Sequence, residues 1–260
     1  MSLTVGVPKW WMNTTSEGKK HAATQATVQT GLVLNLDAGV SDSYGGSGTT
    51  WTDLSSSGNN GTITGATHTS GVGGYFNFDG TDDYIQSGTV ADWAFLHNGS
   101  TDFTIESWIY LSDSNDHTIC ATTASSADIG LYFGITSSTL QLNVQIYRDV
   151  SGSIANFGLS TSSLNLNRWY QVAFTFDSSS KTGRYYIDGV LSGSSTQSSF
   201  AYTSSNPSFT LQIFRYLYGA SASSGYTNGR ASIIKIHEGR LLTLSELAQN
   251  FDVYRGRFGI

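Results

Sequence analysis

The sequence predicts an all-β protein: two antiparallel sheets packed face to face, one short helix near the C-terminus and an extended arm at the N-terminus. Three observations point there. Segments of alternating apolar and polar residues recur along the chain with turn residues between them. Only 12% of residues are charged while aromatics reach 13%, and Gly, Ser and Thr abound, which suits many turns and solvated strand faces. A helix signal is legible once, over residues 243–251. The 260 residues can bury one large core, so a single domain over 31–260 is expected, preceded by an arm over 1–30.

The arm differs from the rest. Trp10 and Trp11 sit side by side after Pro8 and Lys9, and a polar stretch without sustained period follows. The two tryptophans either cover an open end of the sandwich or anchor the chain on a partner, as buried aromatics do at interfaces. The body opens with LVLNLDAG, an alternating strand closed by Asp37 and Gly39. A turn-rich crossing follows; its Gly-Gly-Ser-Gly has no Lys after it and opens no helix, so it is no phosphate loop. Asn60-Gly61 marks a turn before a short strand around 62–64. In FNFDGTDDYI, Phe76 and Phe78 alternate with Asn77, and Asp79-Gly80 supplies a tight turn. ADWAFLHNG is either a helical turn or a loop, and FTIESWIYL is a strand.

IGLYFGI and LQLNVQIY form an expected hairpin, the second with Leu140, Leu142, Val144 and Ile146 on a dry face. RWYQVAFTFD places Tyr170, Val172, Phe174 and Phe176 on one side, and Asp188-Gly189 turns the next hairpin. FTLQIFRYLY and ASIIKIHEG complete the sheets. Thr243 with Glu246 makes a capping box for a helix whose Leu244, Leu247, Ala248 and Phe251 recur at helical spacing. Arg255 and Arg257 near its end are expected to face the negative helix terminus or water.

A net charge of −6 with scattered basic residues excludes the basic stripe of a nucleic-acid binder, and no run reaches the length of a membrane span. No signal peptide is legible at the N-terminus, so assembly in a cytoplasm is expected. Cys120, the single cysteine, reads as a small buried hydrophobe.

FDGTDDYI, FTIESWIYL, the Trp169 strand, the YYIDG hairpin and the late strand with LTLSEL together resemble the laminin-G-like domains of the concanavalin A-like lectin/glucanase superfamily. The resemblance spans residues 32–257 and implies a jelly-roll sandwich. One departure stands at Ile234, where the family often places an acid. The opening LVLNLDAG and its Gly-Ser-Gly and Trp turn look like the versions found in bacteriophage virion proteins. That likeness implies a virion location, with capsid or tail subunits as partners.

Glycosidases need paired carboxylates flanking the scissile bond. The chain has only four Glu (Glu17, Glu106, Glu238 and Glu246), and no strand pairs two acids at alternate positions, so catalysis is not expected. Asp79, Asp82 and Asp83 offer hard oxygen ligands for Ca2+ on one turn, with Asp37 or Asp53 as further candidates, although such turns also use Asp to bind backbone amides. Tyr44, Trp93, Tyr147, Tyr218 and Tyr226 are aromatic candidates for stacking on sugars, none singled out as a site. Two functions follow: a non-catalytic virion structural protein (capsid decoration, or a tail or fibre component) docked through Trp10 and Trp11, or a lectin-like module recognising cell-surface polysaccharide. Homo-oligomers fit either.

Overall fold

A computed structural model describes residues 27–124, 128–147, 154–197, 205–217 and 223–260. In chain order the first strands are β1 (Leu32–Asp37), β2 (Thr50–Trp51), β3 (Gly61–Thr64), β4 (Thr67–Thr69), β5 (Tyr75–Asp79), β6 (Tyr84–Ser87), β7 (Phe103–Leu111), β8 (His117–Ala121) and β9 (Gly130–Ile135). They are followed by β10 (Gln141–Tyr147), β11 (Ile154–Ser163), β12 (Trp169–Asp177), β13 (Thr182–Ile187), β14 (Val190–Thr196), β15 (Leu211–Ile213), β16 (Arg215–Leu217), β17 (Ser223–Tyr226) and β18 (Asn228–Glu238), with helix α1 (Leu244–Phe258) last.

Two eight-stranded antiparallel sheets make the expected jelly-roll sandwich. The first runs β14-β13-β12-β7-β18-β5-β4 with β1 paired to the far half of β18; the second runs β11-β10-β9-β8-β15-β6-β3-β2. The alternation read from the sequence sets which side chains enter the core. Ile105 and Ile109 of β7, Val172, Phe174 and Phe176 of β12, and Ile234 and Ile236 of β18 pack inward against Phe133, Val144, Ile146 and Phe157 from the second sheet. Ile234 therefore occupies a core position, and the acid the family often carries there is replaced by buried apolar surface.

The hairpin β9–β10 pairs in regular register, and the β13–β14 turn takes positive φ at both Asp188 (51°) and Gly189 (73°), the type I′ geometry that matches strand twist. Two expectations need correction. FTLQIFRYLY is not one strand: Phe214 adopts φ 60° and splits it into β15, inside the second sheet, and β16, in a small ribbon with β17. The outward face of β10 is not uniformly wet, because Asn143 and Tyr147 are buried. The open choice at ADWAFLHNG resolves as a 3-10 turn, Ala91–Leu96, that buries Trp93, Phe95 and Leu96.

Helix α1 spans 15 residues, and its capping box is complete: Thr243 Oγ1 accepts from Glu246 N–H, and Glu246 Oε2 accepts from Thr243 N–H. It lies on the outer face of the first sheet, where Trp108 stacks between Phe251 (centroids 5.7 Å apart) and Phe258 (4.4 Å). Residues 27–30, the end of the expected arm, are seated on the same face, with Val28 packed against Leu247, Tyr186 and Leu242. Among the described residues no helix is long and apolar enough to cross a membrane.

Candidate functional site

The helix covers only part of the outer face of the first sheet. Beyond its last turn, four neighbouring strands each present one large side chain: Tyr75 of β5, Arg230 of β18, Tyr110 of β7 and Trp169 of β12. Register brings them together, since Arg230 and Tyr110 are direct Cα partners, as are Tyr110 and Trp169. The Arg230 guanidinium carbon lies 4.3 Å from the Tyr110 ring centre and 4.9 Å from that of Tyr75. The Trp169 ring is 5.6 Å from Tyr75 and 5.8 Å from Tyr110, and Phe258 closes its far side at 4.6 Å. Tyr75, Tyr110 and Arg230 remain half-buried. Asn167, exposed and left-handed at φ 61°, takes a hydrogen bond from the Tyr110 hydroxyl (3.3 Å).

The result is a platform of aromatic faces around one guanidinium, with a carboxamide at its edge. Arg168 beside it is neutralised by Asp188 at 2.7 Å, whereas Arg230 lies over aromatic rings and has no carboxylate partner among the described residues. Such a surface offers flat apolar area of low conformational entropy plus directed donors.

A second concavity, a cavity of about 390 Å³ at the rim, is lined by Ser57, Asn59, Asp92, Asn98 and Glu238 over Phe95. Its polar groups are mostly engaged at home. Asp92 Oδ2 accepts from Thr89 N–H and Oγ1 (both 2.7 Å), and Asn98 Oδ1 accepts from the N–H groups of Ser100 and Thr101. Burial holds the Glu238 carboxyl above the usual carboxylate range.

The Asp79, Asp82 and Asp83 carboxylates lie within 4.8 Å of one another, two exposed and one buried. Asp83 Oδ2 accepts from Asp79 N–H (3.0 Å), and Asp79 Oδ1 accepts from Thr81 N–H (2.7 Å). Burial, then repulsion by Asp79 and Asp82, raises the Asp83 pKa against the pull of that backbone bond. The donor chemistry suits Ca2+, but two of the six oxygens already serve the turn. Neither further candidate joins the group. Asp37 is held by Arg257, and Asp53 accepts from the N–H groups of Asn35, Ser55 and Asn59.

The family model of the concanavalin A-like lectin/glucanases superfamily matches residues 79–247. The chain belongs to this superfamily. No curated protein sequence matches it. Among solved structures it is similar to the binding domain of Paraclostridial Mosquitocidal Protein 1, with a TM-score of 0.63 and 17% identity over 86% of this chain and 52% of that one. It is also similar to Trypanosoma rangeli sialidase in complex with the inhibitor DANA, with a TM-score of 0.60 and 16% identity over 94% of this chain and 37% of that one. A third is the binding domain of Botulinum Neurotoxin DC in complex with SialylT, with a TM-score of 0.59 and 15% identity over 85% and 51%. The chain thus spans between a third and about half of these proteins, and at such identities the likeness is one of fold.

This superfamily contains both lectins and glucanases, so the positions of the carboxylates matter. Glu106, the one mid-strand Glu among the described residues, is fully buried beneath α1, its Oε1 accepting from Gln171 Nε2 (2.9 Å) and its Oε2 from Asn250 Nδ2 (2.7 Å). It cannot reach a substrate. Asp92 and Glu238, far apart in sequence, are brought to one cavity only by the fold.

Of the proposed stacking aromatics, Trp93, Tyr44 and Tyr147 are buried and Tyr226 is half-buried 6.4 Å from Tyr84; Tyr218 lies outside the described residues. Trp10 and Trp11 also lie outside them. Cys120 is buried as expected, its thiol pushed up to about 12 by desolvation.

Proposed function

We propose that the chain is a non-catalytic, lectin-like module that binds cell-surface glycan on the Tyr75–Arg230–Tyr110–Trp169 platform. The observation that carries this reading is the convergence of Tyr75 and Tyr110, each packed against Trp169, on a guanidinium that has no carboxylate partner among the described residues. A pyranose ring lies on the tyrosine faces while Arg230 and Asn167 take its oxygen atoms. Because Arg230 is a cation in a chain of net charge −6, a saccharide bearing a carboxylate is favoured over a neutral one. The test is an array of neutral and acidic polysaccharides probed with the full chain, followed by calorimetry on hits. Tyr110→Ala and Arg230→Ala are each expected to weaken binding at least tenfold, and Arg230→Ala to remove its salt dependence. Binding that survives both changes would refute the platform.

The second reading is the virion one: a capsid decoration or a tail or fibre component, docked through Trp10 and Trp11 on capsid or tail subunits. What supports it is the anchorage of residues 27–30, which follow that arm in the chain. Thr27 Oγ1 accepts from Lys235 Nζ (2.9 Å), Val28 N–H donates to Asn250 Oδ1 (3.2 Å) and His237 Nδ1 bonds Thr30 O (3.0 Å). The arm's point of departure is therefore fixed on the outer face. A chain beginning at Thr27 should lose co-elution with particles that the full chain retains. Equal co-elution of both would remove the arm as a docking element.

A further inference from the structure

A buried cation beside the second sheet serves neither reading of function. Arg215 opens β16 just after Phe214, whose positive φ turns the chain out of that sheet. Ile85 and Ile213 are Cα partners in the core, so by alternation their neighbours Tyr84 and Gln212 lie on the outer face. Arg215 folds back over both: its Nη2 donates to Gln212 Oε1, and its guanidinium carbon lies 3.3 Å from the centre of the Tyr84 ring. The residue is 8% exposed, and its Nε is buried with no hydrogen-bond partner. No carboxylate pairs with it among the described residues. Even Asp83, next to Tyr84 in the chain, is turned to the Asp79 N–H instead. The tyrosine ring offsets part of the cost of burying the charge, but a carboxamide and a π face do not neutralise it. Tyr226, the Cα partner of Arg215 across the ribbon, holds a half-buried ring 6.4 Å from that of Tyr84.

We propose that Arg215 is an anion site, filled by the acid group of a carboxylate-bearing saccharide. A guanidinium offers planar N–H donors that match a carboxylate, and the acid supplies the counter-charge that the fold leaves out, where water screens the pair little. The narrow opening admits one acid group rather than a whole sugar. The Tyr226 ring beside it gives the sugar that carries the acid an apolar face to rest on. The Arg215 charge already acts on its surroundings: a hydrogen bond with Thr64, and after it that charge, hold the Tyr84 phenol below its usual range against burial. This site stands on the outer face of the second sheet, whereas Arg230 and its platform stand on that of the first, so the chain would present two cations to an acidic polysaccharide from opposite sides. That the acid is borne by a saccharide rests on the lectin reading; that an acid binds at Arg215 does not.

The experiment follows the arginine Nε–H signals by NMR in the full chain carrying Arg230→Ala, so that the platform cation is absent and its failure or success is read separately. The probes are oligogalacturonate, the same oligomer with its carboxyl groups reduced to alcohols, and inorganic phosphate. The Arg215 signal, assigned by its loss in Arg215→Gln, should shift with oligogalacturonate and stay in place with the reduced oligomer. By calorimetry in the same background, Arg215→Gln should weaken oligogalacturonate binding about tenfold or more, as loss of a charged hydrogen bond does. An Arg215 signal that ignores oligogalacturonate overturns the proposal, even where Arg215→Gln does not fold. An equal response to the acidic and the reduced oligomer overturns it as well, since the acid would not be the bound group. A shift with phosphate alone overturns the saccharide and leaves a site for a free inorganic anion.

Discussion

Arg257, three residues from the C-terminus, forms a bidentate pair with Asp37 at the end of the first strand: Nη1 to Oδ2 at 2.8 Å and Nη2 to Oδ1 at 2.7 Å. Both side chains are largely buried, at 11% and 3% exposure, so solvent screens the pair little. The expectation that Arg257 faces water or the helix terminus is therefore corrected. Its contact joins the helix end to β1, and Gly39 makes room for it, since a Cβ there would lie 2.1 Å from Arg257 Nη2.

Arg257→Ala should destabilise the domain by about 3–5 kcal/mol, because it leaves the Asp37 carboxylate buried and unpaired. Arg257→Lys should recover little, since a single ammonium cannot make both bonds. Urea unfolding midpoints at neutral pH measure both. A loss within experimental error for Arg257→Ala would mean the pair contributes nothing net.

Gly183 lies inside β13, where a glycine ordinarily weakens a strand. Its reason is aromatic crowding: a Cβ would meet Phe174 Cζ at 2.5 Å and Phe157 Cδ1 at 2.6 Å. Gly183→Ala should cost about 1–3 kcal/mol through overpacking. Pairing it with Phe157→Leu should restore part of that loss, read from the same unfolding curves as a favourable coupling.

These two glycines show where sequence reading ends. The alternation in FTIESWIYL and RWYQVAFTFD was legible because each strand states its own inward face. Thr243 and Glu246 likewise carry their capping box within four residues. What Gly39 and Gly183 are for depends on Arg257 and Phe157, which come close only after the sheets pair. The platform was hidden for the same reason. Tyr75, Tyr110, Trp169 and Arg230 come from four strands, and register alone aligns them. Of the aromatics picked from sequence, Tyr44, Trp93 and Tyr147 are buried instead, because an aromatic residue type does not state its burial.

His97 and His237 are fully buried, and desolvation, the strongest influence on each, lowers both pKa values against the backbone carbonyls that accept from their rings. A histidine depressed on folding binds its proton more readily in the unfolded chain. Its stabilisation is therefore complete above the unfolded value of about 6.5 and is lost as pH falls below it. Melting temperature should decline from pH 7 towards pH 5. In His97→Gln, which keeps a donor for the Ser205 carbonyl now 2.8 Å away, the decline should be shallower. An unchanged slope would assign the dependence to other groups.

The acidic turn has the opposite sign. Asp83 is raised on folding, by burial and by Asp79 and Asp82, so its ionisation opposes the folded state as pH rises through the carboxylate range. Removing a neighbouring charge should relieve that cost, and Asp82→Asn is expected to raise the melting temperature at neutral pH without added metal. Asp83→Ala should do the reverse, by about 1 kcal/mol, because the Asp79 N–H loses its acceptor. Calcium reads the same cluster from the other side. If the three carboxylates hold the ion, adding it raises the melting temperature of the wild type, and Asp82→Asn abolishes that rise while keeping its own gain. If the acids serve the turn alone, calcium moves neither protein, and the gain from Asp82→Asn is the only effect left to see.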